Sequence, residues 1–331
     1  MTGIPDASAA TTAHALFYVA KRQAVLRDTP LAALSAGEAR VRTLWSGISR
    51  GTERLVFEGN VPPDETERMR APFQEGDFPF PVKYGYCAVG EVEDGPADWI
   101  GRKVFCLHPH QTRFNAPLSM LAPLPEGLPA RRAVLTANME TALNGIWDSG
   151  VGPGARVMVV GGGVVGLMLC AILSRMPGVE TVLVDIDPRR AALAEHFGIG
   201  FSKPLDAPGE MDVVFHASGV PAGLSCALVC AGTEARIVEM SWYGSQTVPA
   251  PLGLAFHSRR LSLISSQVGA VAPAYRAGWS HARRLAKALD MLGDDRLDAL
   301  ITGEIAFTEL PQALPDLLAP GAAGLCTAIR Y

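Results

Sequence analysis

The stretch "RVMVVGGGVVGLM" (156–168) decides the fold. Its first five residues read as a buried strand, a glycine turn follows at once, and an apolar run then opens a helix. Gly161, Gly163 and Gly166 satisfy G-x-G-x-x-G within the run Gly161, Gly162, Gly163, Val164, Val165, Gly166. In that pattern the first glycine permits a tight turn and the second lets backbone approach a pyrophosphate. The third lets helix and strand pack closely, which leaves the phosphate at the helix N-terminus. A second strand, "TVLVD" (181–185), completes a βαβ unit and ends on Asp185. A carboxylate there accepts hydrogen bonds from both adenosine ribose hydroxyls and repels a 2'-phosphate, so NAD is expected rather than NADP. Arg189 and Arg190, just beyond, are the side chains that would admit that phosphate, but the acid lies closer to the ribose.

Outward from this unit, strands are expected at "DVVFHA" (212–217), "ARIVEM" (235–240) and "LSLIS" (261–265), which extends a parallel sheet. Upstream, "ARRAVLTANMETALNGIWDSG" (130–150) reads as helix, and "EARVRTLWSGI" (38–48) and "AVGEVEDG" (88–95) read as strands. Residues 60–82 mix charge with five prolines and read as a surface excursion, and residues 1–13 as a frayed leader. At 331 residues with 48% hydrophobic side chains, the chain exceeds one ordinary domain, so two are expected. A net charge of -4 with interspersed acids and bases argues against a nucleic-acid or anionic-membrane surface. The expected partner is a small molecule or a second copy of the chain. Cys87, Cys106, Cys170, Cys226, Cys230 and Cys326 are dispersed, with no C-x-x-C pair, and read as reduced thiols of a cytoplasmic protein. No export signal and no apolar run of roughly 18 residues is seen, so no membrane span is expected.

Four stretches resemble, in order, the medium-chain dehydrogenase/reductases, the zinc alcohol dehydrogenase superfamily. They are "SGISRGTE" (46–53), "FPVKYGYCAVGEVEDG" (80–95), "VVGGGVVGLM" with "VLVDIDPRR" (159–168 and 182–190), and "LDALITGEIAFTELPQAL" (297–314). The resemblance implies an α/β protein with a GroES-like β domain in residues 1–132, completed by 296–331, and a doubly wound Rossmann domain in 133–295. It places the reaction in the cleft between them. Cofactor contacts are implied near Ala217, Ser218, Met240, Ser241, Ser266 and Gln267, and the ligand rule for open α/β sheets points to the same strand ends. Family dimers pair the last Rossmann strand, here "RLSLISSQ" (260–267), so a homodimer is expected.

Departures from the family pattern are concentrated at its catalytic metal. The ligand positions of zinc-bearing relatives fall on Ser49, on Tyr86 and Cys87 after Gly85, and on Ala137. Zinc needs three or four deprotonated N, S or O donors, and this set supplies one good one. The structural-zinc lobe is also missing, since "GRKVFCLHPHQTRFNAPL" (101–118) carries only Cys106. No metal is therefore expected. "SGISRGTE" is most similar to zinc-free members such as the bacteriochlorophyllide dehydrogenases, a likeness confined to the N-terminal stretch; their tetrapyrrole substrate is not carried over.

Without a Lewis acid, something must take or give the substrate proton. Tyr86 is the first candidate, with Lys83 three residues upstream as the cation that would favour its phenolate; otherwise Tyr86 is a packed aromatic. Ser49 either bonds a substrate oxygen or bonds backbone. The family's relay hydroxyl falls on Gly51, which makes Thr52 the nearest substitute. Glu53 and Glu140 are further acids, each otherwise solvated or capping. His108 and His110 are expected on one face of a strand, as substrate contacts or metal ligands. His257 beside two arginines suits an anion or a polar helix end, and Trp242 and Tyr243 either stack near the nicotinamide or close the core. The function expected is a metal-independent, NAD-dependent dehydrogenase of a secondary alcohol or polyol. A quinone or enone reductase and a non-catalytic dinucleotide sensor are the alternatives.

Overall fold

A computed structural model describes residues 12–331. The valine-rich runs around the glycine turn become neighbours in one parallel sheet, with Val160 beside Val184 on one side and His216 on the other. Parallel strands are covered by helices on both faces, which is why Val157, Met158, Val159, Leu183, Val214 and Phe215 are all fully buried. The six strands lie in the order Gly200–Ser202, Glu180–Val184, Arg156–Val160, Met211–His216, Ala231–Glu239, Ser262–Ser265. Chain order therefore reverses between Arg156–Val160 and Met211–His216, the position at which open α/β sheets bind their ligands. Ser262–Ser265 is one of the two edge strands, and Leu263 within it is 36% exposed.

The chain divides into two compact units. The first runs to Val134 and resumes with Glu304–Ala322 and Thr327–Tyr331; the second holds Leu135–Gly303 and Ala323–Cys326. Residues 296–303, expected with the first unit, fall in the second, where Leu297 and Leu300 of the turn Asp295–Leu300 are buried. The first unit is antiparallel. One sheet has the order Gln23–Pro30, Thr12–Ala20, Val82–Lys83, Glu75–Gly76. The other runs Ile301–Ala306, Cys326–Arg330, Glu38–Gly47, Ala88–Asp94, Lys103–Cys106, Ala122–Pro123, with Arg113–Pro117 also paired to Glu38–Gly47. Alternating inward residues, among them Val41, Val92, Val104 and Phe114, form the core of this second sheet.

Three expectations change. Residues 1–11 of the expected leader lie outside the described residues, whereas Thr12 and Ala13 open a strand and are no part of a leader. The excursion at 60–82 is tied down, because Glu75–Gly76 pairs with Val82–Lys83 and Phe78 is buried. The helix expected over 130–150 is two helices, Ala130–Ala133 and Thr136–Ser149. Among the described residues no helix is long and apolar enough to cross a membrane, and no disulfide joins any of the six cysteines.

Candidate active site

In the second unit, the strand Arg156–Val160 runs into the glycine turn and the helix Val164–Leu173. A Cβ on Gly166 would meet the carbonyl oxygen of Gly161, so close helix–strand contact requires glycine there. Gly163 is exposed and a Cβ on it would meet nothing within 4 Å, while no side chain caps the helix. Open backbone amides at a helix N-terminus suit a phosphate. Asp185 closes the far side of the turn: Oδ2 accepts the Gly162 N–H at 2.5 Å and Oδ1 accepts the Asp187 N–H at 2.8 Å. Arg189 Nε donates to Asp187 Oδ1 at 2.8 Å, and Arg190 Nε lies 3.6 Å from Asp187 Oδ2. The Arg189 hydrogen bond, foremost, holds the Asp187 carboxyl below the ordinary range. Both arginines that could meet a 2'-phosphate thus face Asp187.

At the ends of the next strands, Ala217 N–H donates to Val160 O at 2.9 Å, and Gly219 N–H donates to Ser241 Oγ at 3.0 Å. Ser218 Oγ lies 2.6 Å from His216 Nε2. Met240 packs where a Cβ on Gly145 would stand, Ser266 Oγ donates to Asp148 Oδ2 at 2.6 Å, and Gln267 Oε1 accepts the Gly269 N–H at 2.6 Å. The candidate cofactor residues Ala217, Ser218, Met240, Ser241, Ser266 and Gln267 therefore follow three adjacent strands.

In the first unit, Ser49 precedes the helix Arg50–Phe57, and Glu53 turns back to accept the Ser49 N–H at 2.7 Å. The Tyr86 phenol hydrogen-bonds the side chains of Ser49 and Thr52. Tyr86, Ser49 and Thr52 are brought together as one hydroxyl cluster, with Tyr84 edge-on to Tyr86 at 6.0 Å. Burial first, then Cys87 and Glu53, push the Tyr86 phenol far above its usual range; the two hydroxyl bonds offset only part.

That direction corrects the expected phenolate. Lys83 pairs with Glu75 and donates to Gln111 Oε1 at 2.8 Å, and burial lowers its ammonium against the pull of Glu75. Its charge serves the pairing of Glu75–Gly76 with Val82–Lys83, not Tyr86. Glu53 is not solvated: it is fully buried, and Oε2 accepts the Tyr18 hydroxyl at 2.8 Å and lies 3.0 Å from His110 Nε2. His110 Nδ1 is 2.8 Å from Ser46 Oγ, itself 2.9 Å from the Tyr331 hydroxyl. Gly85, at φ +122°, lets the tyrosine segment lie on this imidazole, since a Cβ there would stand 2.8 Å from His110 Cδ2.

His108 and His110 do not share a strand face; both follow the strand Lys103–Cys106 in irregular chain. His108 stacks on Phe114 at 3.8 Å, and burial lowers its imidazole to about 3. Glu140 is neither solvated nor capping but is buried against Arg284, with Oε1 accepting from Nε at 3.0 Å. The arginines beside His257 are paired elsewhere, Arg259 with Glu210 and Arg260 with Glu234. Tyr243 closes no apolar core: its hydroxyl meets Glu239 and His216. His216 and Glu239 were not singled out from the sequence; the available signal was a polar residue closing each strand directly after an apolar run, Val213–Phe215 in one and Ile237–Val238 in the other. Among the described residues no group of three or more His, Cys, Asp or Glu side chains is placed to hold a metal ion.

No protein-family model matches the chain. In sequence it is similar to 2-dehydro-3-deoxy-L-galactonate 5-dehydrogenase of Pseudoalteromonas atlantica, 24% identical over 273 residues that cover 70% of this chain and 76% of that protein. It is also similar to D-xylulose reductase A of Aspergillus niger, 22% identical over 202 residues covering 59% of this chain and 56% of that protein, so it spans little more than half of this relative. In structure it superimposes on L-idonate 5-dehydrogenase from Escherichia coli K-12 with a TM-score of 0.79 at 15% identity, covering 97% of this chain and 99% of that one. A proposed zinc-binding dehydrogenase from Sinorhizobium meliloti 1021, bound to NADP, gives 0.78 at 17% identity over 97% of this chain and 100% of that one. The chain has the fold of these dehydrogenases. The Rossmann-type parallel sheet with a separate antiparallel unit is thus the arrangement it shares with these structures.

Proposed function

We propose that the protein is a metal-independent, NAD(H)-dependent oxidoreductase acting on a secondary alcohol or polyol, or on the corresponding ketone. The observation that carries the reading is the glycine turn with Asp185 bound to its Gly162 N–H, at the point where strand order reverses. The polyol and sugar-acid dehydrogenases among its sequence relatives support the substrate class. The donor set supports metal independence, because Ser49, Tyr86, Cys87 and the methyl of Ala137 stand where the resemblance places zinc ligands, and only Cys87 among them is a good donor. A homodimer and a cytoplasmic location remain parts of the proposal.

When bound, the nicotinamide donates or accepts the hydride. The chain's own part is at the oxygen. Tyr86 stays a phenol at neutral pH, so in the reducing direction it donates to the carbonyl oxygen while Ser49 and Thr52 orient it. In the oxidising direction the carbinol O–H bond breaks and its proton is passed along the same three hydroxyls, each giving up its own proton as it takes one, to water. The deciding assay follows NADH absorbance while chelator-treated protein is offered NAD with secondary alcohols, polyols and hydroxylated ring compounds. Turnover that survives chelation is expected. Turnover lost to chelator and restored by zinc would overturn metal independence; silence on every alcohol with NADH still bound would favour the enone reductase.

Cofactor choice has its own test. Asp185→Ser removes the carboxylate that excludes a 2'-phosphate, and the preference for NADH over NADPH in binding should fall by about tenfold or more. A wild type that binds NADPH more tightly would refute the assignment to NAD.

A further inference from the structure

The helix Pro221–Cys230 in the second unit carries two cysteines, Cys226 and Cys230, one turn apart. Residues four apart in a helix stand on one face, so the two thiols project from adjacent turns on the same side. The packing agrees. Cys230 belongs to the core cluster that also holds Met211, Val214, Leu228 and Ile237, and Cys226 packs against that same cluster as a partly buried residue. Cys230 is 6% exposed, whereas Cys226 is half-buried. Among the described residues, which include all six cysteines, the other four are buried. Cys226 is thus the thiol that a reagent in water meets first, with Cys230 beside it.

The two thiols hydrogen-bond each other. With Cys230 as donor, that bond pulls the Cys226 thiol below its ordinary range against the opposing effect of burial. The same bond, then burial and the Cys226 charge, push the Cys230 thiol up. The pair therefore gives up one proton readily and keeps the second between its sulfurs. A thiolate is the form that attacks electrophiles and binds soft ions, so the more accessible member of the pair is the reactive one.

Geometry decides what the pair takes. A disulfide needs Cβ atoms about 3.5–4.5 Å apart. Side chains four apart in a helix keep theirs about 5–6 Å apart, so a direct S–S bond would have to unwind the last turn. One atom held between the sulfurs removes that demand, because it lengthens the bridge by a bond. The atom must be soft, to suit thiolate. It must also be content with two protein ligands, since no group of three or more His, Cys, Asp or Glu side chains among the described residues is placed to hold an ion. Zinc, normally four-coordinate, is poorly served by such a pair. A trivalent arsenical with one carbon substituent fits: it has room for two sulfurs, and carbon fills its third position.

We propose that Cys226 and Cys230 form a dithiol site that captures mono-organic trivalent arsenicals across the last turn of this helix. With phenylarsine oxide, two S–H bonds and the arsenic–oxygen bond are lost, two arsenic–sulfur bonds form, and one water leaves; nothing is oxidised or reduced. The site stands whether or not the chain binds a dinucleotide.

The test is titration of the full chain with phenylarsine oxide, read by intact mass and by circular dichroism. One arsenical per chain is expected, with the helix signal kept. Affinity should fall about a hundredfold or more in Cys226→Ser and likewise in Cys230→Ala, the loss on turning a two-point attachment into a single one. A small dithiol should strip the adduct, and a monothiol at the same concentration should not. A wild type that takes up no arsenical, or either variant binding it with wild-type affinity, overturns the proposal. So does loss of helix signal on binding, which would mean that the last turn has to open. If Cys230→Ala does not fold, Cys226→Ser, at a half-buried position, carries the test alone.

Discussion

Replacing Tyr86 with phenylalanine is expected to lower turnover by about two orders of magnitude or more, the usual worth of a positioned proton donor, with NADH affinity unchanged. The cofactor residues and Tyr86 lie in different units, so the variant removes only the oxygen-side chemistry. The phenol hydrogen-bonds Ser49 and Thr52, and burial, Cys87 and Glu53 all raise it. It therefore remains protonated across the neutral range, and wild-type ketone reduction should show no inflection from this group between about pH 6 and 9, well below even an ordinary tyrosine. Steady-state rates in both directions, with NADH binding measured separately, check the outcome. Unchanged turnover would remove Tyr86 from the reaction. A rate that climbs through mildly alkaline pH would restore the phenolate.

The contrast between the two candidate sites explains what a sequence can disclose. The glycine turn was legible because its constraints are local: strand, turn and helix are contiguous, and Gly166 is required by the carbonyl of Gly161 five residues earlier in the same motif. Ser49 and Thr52 were legible for a similar reason, since both belong to the start of one short helix. Lys83 was misread because a separation of three residues means proximity on a helix and not in extended chain. The side chain of Lys83 leaves for Glu75, while Tyr86 leaves for the Arg50–Phe57 helix. His108 and His110 failed in the same way, because the strand ends at Cys106 before reaching them. Glu53 was legible only in part: its capping bond to the Ser49 N–H is local, but its burial depends on Tyr18 and His110, 35 and 57 positions away along the chain. Zinc-ligand positions, by contrast, are a matter of residue identity, and Ser, Tyr and Ala are visible without any structure.

The largest stability effect is expected from a pair that lies far apart in the chain. Arg284 is 1% exposed and engages all three of its nitrogens: Nε on Glu140 Oε1 at 3.0 Å, Nη1 on Asn144 Oδ1 at 2.6 Å and Ala270 O at 3.1 Å, and Nη2 on Val268 O. One guanidinium thereby holds the helix Thr136–Ser149, the segment 268–270 and its own helix, His281–Met291, in register. Asn144 extends the network, its Oδ1 also accepting the Ala272 N–H at 3.1 Å. Arg284→Met keeps the aliphatic stem but leaves Glu140 buried without its ion-pair partner. Breaking such a pair from one side costs about 3–5 kcal/mol, because the orphaned charge loses its main compensation and keeps only the lesser attraction of His281. In a unit of this size that corresponds to a fall in Tm of about 10 °C or more, readable by scanning calorimetry. The sign of the pH dependence follows from Glu140, whose carboxyl burial already raises while Arg284 pulls it down. Without Arg284 the folded-state value rises further above the unfolded one, so ionisation is what costs stability. The penalty is fully present above the folded value and is relieved as pH falls toward the unfolded one, at about 4.3. Arg284→Met should therefore lose less Tm relative to wild type at pH 5 than at pH 8. A loss equal at both would mean that Glu140 is already protonated in the wild type and that the pair is a hydrogen bond without a charge.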